Sequence, residues 1–248
     1  MRLMRPCMGN GKSGDVMRRP LTDICVIAAL ILAGCGDKTS VASAPEAPAL
    51  ATKTDTPPAD TRPIVVMLGD SLTAGYQLAA NEALPAAIQR DLDTAGVKAK
   101  IVNAGVSGDT TADGLNRFDF SVTALHPALV VIALGANDFL DSFPPETPRK
   151  NLAAILDKAK TDNIPAALLG VSLPKGAGAA DNREAEYAAI YPSLAKEYGV
   201  PYYPDMLGAI AGKPQLIQKD GVHPTAEGVE AMASAISGFI APLVPRSE

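Results

Sequence analysis

Tryptophan is absent from this chain, and aromatic residues as a whole make up only 4% of it. Stacking platforms for single-stranded nucleic acid need exposed aromatic rings and are therefore not expected. Positive charge is also short: 22 Lys and Arg against 27 Asp and Glu leave a formal net charge of −5, which argues further against nucleic acid as a partner. Histidine occurs twice, at His126 and His223, too few for a hydrolytic two-metal site that draws on several imidazoles. Cysteine occurs three times, at Cys7, Cys25 and Cys35. The apolar run from Ile24 to Leu32 is too short to cross a bilayer as a helix of the mature protein.

That run instead has the form of a targeting signal. Arg18 and Arg19 precede it, and it closes on "LAGC", Leu32 to Cys35. This ending resembles the lipobox of bacterial lipoproteins, which implies removal of residues 1–34, lipidation of Cys35 and a membrane anchor on the periplasmic side of a bacterial cell envelope. Met17 directly before the two arginines marks an alternative start. Removing residues 1–34 takes away five basic and two acidic residues and leaves 17 against 25, a net of −8. Cys7 and Cys25 leave with the signal, so no disulfide is expected within the mature chain. Residues 35–62, rich in Ala, Pro, Thr and Ser without apolar periodicity, read as a flexible tether after the lipidated cysteine.

With 47% hydrophobic residues in 248, the chain can bury one sizeable core, which is expected over residues 63–244. Apolar β-type runs occur at 63–68, 99–102, 128–134, 165–171 and, more weakly, 200–203. Helical patterns lie near 82–95, 110–125, 147–162, 182–198 and 225–242. The strand runs are continuously apolar, as expected when helices cover both faces of a sheet. The pattern predicts an α/β fold, a three-layer α/β/α sandwich on a parallel five-stranded sheet.

Open parallel sheets bind ligands beyond the carboxyl ends of their strands. There the sequence offers Gly69-Asp70-Ser71, then "NAGVSGDT" with Asn103, Gly105 and Gly108, then "GAND" with Asn137, and late in the chain "DGVHP" with Asp220 and His223. A hydroxyl, backbone amides, a carboxamide, an imidazole and a carboxylate form an acyl-transfer inventory. Ser71 does not lie in the common Gly-x-Ser-x-Gly elbow, because position 73 is Thr. Its base would be His223, since His126 falls at the amino end of the third strand. Asp220, three residues before His223, is close enough to hold one ring nitrogen, and Pro224 stiffens the junction and is expected to open the last helix. Taken singly, Asn137, Gly108 and the Asp-Gly-x-His turn also fit ordinary loop roles.

"GDSL", "SGDT", "GAND" and "DGVHP", in that order and together with "IYPSLAKEYGVP", resemble the sequence blocks of the GDSL or SGNH hydrolases. The likeness is to their bacterial secreted acyl-thioesterase, arylesterase and lysophospholipase group. It implies a flavodoxin-like sandwich and a serine hydrolase of acyl esters or thioesters; no cofactor or metal is expected, and the chain is expected to act as a monomer. It also implies Ser71 as nucleophile, His223 as base, Asp220 as its orienter, and an oxyanion hole of Ser71, Gly108 and Asn137. Thr73 and the segment 173–184 occupy stretches that shape substrate access, so the resemblance does not extend to acyl-chain preference. Two other readings stay open: a non-catalytic ligand-binding lipoprotein, and a metal-dependent phosphoesterase suggested by "LGD" and "GAND".

Overall fold

Five apolar runs become the five strands of one parallel sheet in the computed structural model, which describes residues 60–171 and 183–246. The signal segment, Cys35 and residues 35–59 of the expected tether lie outside the described residues, as does most of the 173–184 segment. The strands are β1 (Ile64–Gly69), β2 (Lys100–Gly105), β3 (Leu129–Ala133), β4 (Ala166–Leu169) and β5 (Tyr202–Tyr203), in the order β2-β1-β3-β4-β5. The helices are α1 (Ser71–Ala74), α2 (Leu84–Thr94), α3 (Thr111–Asn116), α4 (Phe118–Ser121), α5 (Ala136–Leu140), α6 (Glu146–Thr161), α7 (Arg183–Tyr198) and α8 (Ala226–Ile240). The expected three-layer sandwich is what forms.

The continuous apolar runs are explained by the strand period of two. In β1, Val65 and Met67 join a core with Leu84, Ile88 and Leu92 of α2 and Met232, Ile236 and Ile240 of α8. Val66 and Leu68 point the other way, into a core with Phe118 of α4, Leu152 and Ile155 of α6, and Tyr187 and Leu194 of α7. Each fully buried Leu or Ile contributes roughly 1.5–3 kcal/mol, so the two cores fix the register of β1 twice over.

Three local expectations need correction. The second strand runs on to Gly105, because Met67, Leu68 and Gly69 of β1 pair with Asn103, Ala104 and Gly105. Asn103 therefore belongs to a strand, and its side chain braces the Gly105 amide at 2.9 Å instead of facing the site. The single helix expected over 110–125 breaks at Arg117, where the backbone leaves the helical region and the guanidinium turns inward. Pro224 does not open α8. It pairs with Ile217 in an isolated bridge, and Thr225 caps the helix by accepting from the Gly228 amide.

The first turn of α1 starts at Ser71 because Asp70 caps it, its Oδ1 accepting from the Leu72 amide at 3.0 Å. Asp70 is only 1% exposed, and its Oδ2 meets no donor from the described residues. Burial pushes its carboxyl up to about 6, against the opposing pull of the Leu72 amide. A folded pKa above the unfolded 3.8 means that the protonated form favours the fold: its contribution is full below pH 3.8 and is lost as pH rises through about 6. Asp70→Asn keeps an acceptor for the cap and stays neutral. Its stability relative to the parent should therefore rise between pH 4 and pH 7, by on the order of 3 kcal/mol at most, in paired denaturation curves. A difference that stays constant across that range would contradict the assignment.

Candidate active site

The carboxyl end of the sheet gathers the loops after β1, β2 and β3, and the turn before α8 joins them. Ser71 is delivered by the end of β1 and the cap of α1. His223 arrives from 152 residues away, with its Nε2 2.8 Å from Ser71 Oγ. Asp220 Oδ2 lies 2.8 Å from His223 Nδ1, while its Oδ1 accepts from the amides of Val222 and His223 at 2.9 and 3.0 Å. Partial desolvation opposes the charge on Asp220, but those two amides and the imidazole hold its carboxyl down to about 2. A carboxylate at Nδ1 retains the proton there and leaves Nε2 free to accept from the Ser71 hydroxyl.

The imidazole is fixed from two further sides. Tyr76 lies against it, with ring centroids 4.4 Å apart and a tilt of 33°. Gln218 ties the surroundings of the ring together: its side-chain amide donates to the carbonyls of Tyr76 (2.9 Å) and Pro224 (2.8 Å), and its backbone N–H donates to the His223 carbonyl at 2.7 Å.

Gly108 and Asn137 face the same cavity of roughly 260 Å³ as Ser71 and His223. Gly108 has φ +90°, a conformation that favours glycine, and open space where a side chain would stand, so its backbone is approachable. Gly135 begins the turn into α5 with φ +122°, and a Cβ there would meet the Tyr191 hydroxyl at 2.5 Å. Asn137 Nδ2 donates one hydrogen to the Asp109 carbonyl at 2.8 Å, which orients the carboxamide and leaves the second hydrogen available.

A polar framework holds these loops together. Arg117, at the break between α3 and α4, donates to Asp109 Oδ2 at 2.6 Å and to the Gly69 carbonyl at 2.9 Å, joining the β2 loop to the end of β1. Asp138, next to Asn137, accepts from the Thr111 amide at 2.8 Å and the Thr111 hydroxyl at 2.6 Å. Asn151 of α6 donates to the Thr111 hydroxyl at 3.0 Å.

The structure thus brings Ser71, His223, Gly108 and Asn137 to one cavity, with Asp220 behind the imidazole. His126 stands apart, exposed on a turn ahead of β3. Sequence reasoning missed Asp109, Arg117, Thr111, Asp138 and Tyr76. Asp109 and Asp138 sit inside "SGDT" and "GAND", but their partners lie on other elements, and no local spacing points to them. Among the described residues, no group of three or more His, Cys, Asp or Glu side chains is arranged to hold a metal ion.

Residues 67–231 match the GDSL-like lipase/acylhydrolase family. The chain is similar to the thioesterase 1/protease 1/lysophospholipase L1 of Escherichia coli K12, at 37% identity over 180 residues that cover 73% of this chain and 84% of that one. It is also similar to an arylesterase of Vibrio mimicus, at 32% identity over 174 residues covering 70% and 86%. Among solved structures, the crystal structure of TesA matches with a TM-score of 0.69 and 30% identity, covering 73% of this chain and 99% of that one. With the fold, the ordered blocks and the match all spanning the same stretch, the chain belongs to the GDSL-like lipase/acylhydrolase family of serine esterases and thioesterases.

Proposed function

We propose that this site hydrolyses carboxylic esters or thioesters of acyl groups through an acyl-enzyme on Ser71. The observation that carries the proposal is the 2.8 Å approach of His223 Nε2 to Ser71 Oγ, with Asp220 at the opposite ring nitrogen. Ser71 Oγ attacks the acyl carbonyl carbon as its proton passes to His223 Nε2. The bond to the leaving oxygen or sulfur then breaks, and His223 returns the proton to that atom. Water, deprotonated by the same imidazole, attacks the acyl-enzyme, releases the carboxylic acid and restores the serine hydroxyl. The amides of Ser71 and Gly108 and the free hydrogen of Asn137 Nδ2 meet the charge on the carbonyl oxygen in both tetrahedral intermediates.

The acyl group has an apolar place to go. A second cavity of roughly 420 Å³ shares Leu72, Ala136, Leu140 and Val222 with the first and extends toward Ile210 and Ile217. Arylesters, lysophospholipids and acyl thioesters, substrates of the kind in the names of its relatives, all present an apolar group, an acyl chain or an aryl ring, beside a cleavable bond.

We further propose that residues 1–34 are a lipoprotein signal and that Cys35 carries the lipid that tethers a monomeric enzyme to a membrane on the periplasmic side of the cell envelope. The basic pair, the apolar run and "LAGC" support this, and the polar, proline-rich stretch after them fits a spacer between anchor and enzyme.

On a panel of p-nitrophenyl esters of rising acyl length, Ser71→Ala should lose turnover, and Asn137→Ala should lower kcat by about 10²–10³, roughly 2.7–4 kcal/mol, with KM little changed. EDTA should leave the parent unaffected. Loss of activity with EDTA, restored by a divalent ion, would move the assignment to a metal-dependent phosphoesterase, and a stable Asn137→Ala enzyme with kcat within about threefold of the parent would remove Asn137 from the oxyanion hole.

The anchor is tested separately by fractionating cells that express Cys35→Ser. The variant should leave the membrane fraction while its esterase turnover stays normal. Unchanged membrane association would overturn the lipidation of Cys35.

A further inference from the structure

We propose that Asp138 is the positioning residue of the oxyanion pocket: through Thr111 it holds the loop of Gly108 against the first turn of α5, which carries Asn137, and so sets the spacing of two of the three donors. The inference rests on the acyl-transfer reading of the site. Asp138 lines neither cavity and is 1% exposed, so it acts without touching substrate.

A carboxylate removed from water is costly unless its oxygens are occupied by donors. Both oxygens of Asp138 are occupied by one residue 27 positions earlier, the Thr111 amide and hydroxyl. Thr111 is itself fully buried and is the first residue of α3, three residues past Gly108. Asn137, one residue before Asp138, donates to the carbonyl of Asp109, one residue after Gly108. The β2 loop and the start of α5 therefore grip each other at two points close to the proposed donors. With the short β2 loop pinned at Asp109 and at Thr111, the Gly108 amide cannot drift from the Asn137 carboxamide without breaking buried bonds.

The donor inventory also explains why a carboxylate fits there better than its isostere. Asn151 Nδ2 already donates to Thr111 Oγ1, so the threonine hydrogen must find its acceptor elsewhere, and Asp138 Oδ1 at 2.6 Å supplies it. The Thr111 amide needs a second acceptor, and Asp138 Oδ2 supplies that one. An asparagine at 138 has one acceptor for these two hydrogens and adds two of its own.

The test is steady-state hydrolysis of p-nitrophenyl butyrate by the full chain, with melting midpoints taken on the same preparations. Asp138→Asn should lower kcat about 10–100-fold with KM within about twofold, the size expected when donors are displaced while the groups themselves remain. Thr111→Val, which keeps the amide bond and removes the hydroxyl, should show a smaller loss in the same direction, and Thr111→Ser should restore near-parental kcat. This pair answers the question even if Asp138→Asn does not fold.

A double-variant cycle separates positioning from general stability. In the Asn137→Ala background, Asp138→Asn should cost less in kcat than it does in the parent, because one of the two donors whose spacing it sets is gone. Parental kcat in a folded Asp138→Asn and in Thr111→Val, or losses at 137 and 138 that simply multiply, would overturn the positioning role. Ser71→Ala, run alongside, tells which level has failed: if it is inactive while the 138 and 111 variants are normal, only the positioning inference falls, whereas full turnover in Ser71→Ala would bring down the acyl-transfer reading and this inference with it.

Discussion

The hydrogen bond between Ser71 and His223 joins residues 152 positions apart, and the architecture serves to make that contact repeatable. Ser71 is fixed by a strand buried on both faces and by a helix cap, whereas His223 rides on a turn outside the sheet. The turn is held by Gln218, which bonds Tyr76 on one side and Pro224 on the other. Position is thus secured at one end by hydrophobic burial and at the other by a small set of polar contacts. Burial is non-directional and fixes strands, while hydrogen bonds are directional and fix angles.

The same division runs through the rest of the site. The cores set β1, β2 and β3 side by side, which brings their carboxyl ends together but leaves the loop after each strand free to choose its path. Arg117 joins Asp109 to the Gly69 carbonyl, and Asp138 joins Thr111 to the first turn of α5, next to Asn137. Buried charge of this kind is a weak source of stability, since desolvation offsets much of the attraction. Its value here is conformational, because a loop with such partners has one low-energy arrangement in place of several. Asp70 follows the same logic less completely: it caps α1 through one oxygen and leaves the other without a donor from the described residues, and burial makes its carboxyl take up protons more readily than an ordinary aspartate.

What the sequence disclosed and what it withheld divide along the same line. β1, β3 and β4 were readable because a strand covered on both sides must be apolar at every position, and the runs from Val65 to Leu68 and from Leu129 to Ala133 are. The residues now found at one site were readable because each comes after a strand or in the turn before the last helix and carries the chemistry of acyl transfer, with four blocks in the order of a known family. The break at Arg117 was not readable, since the residues on both sides keep a helical pattern and the cause is a carbonyl on another strand. The extension of β2 to Gly105 was hidden because an edge strand, exposed or half-buried along its length, has no continuous apolar signal. The link between Asp138 and Thr111 spans 27 residues and joins the starts of two helices, and nothing in either stretch names the other.

A covalent intermediate at one hydroxyl is the claim on which every assigned role depends. Its most direct test is to quench the enzyme in acid during turnover of a p-nitrophenyl ester and weigh the peptides from a digest. The acyl mass should appear on the peptide that contains Ser71, formed together with an initial burst of one p-nitrophenol per enzyme and lost as the carboxylic acid appears. Full turnover with no acylated peptide, or with the acyl group on another residue, would contradict it.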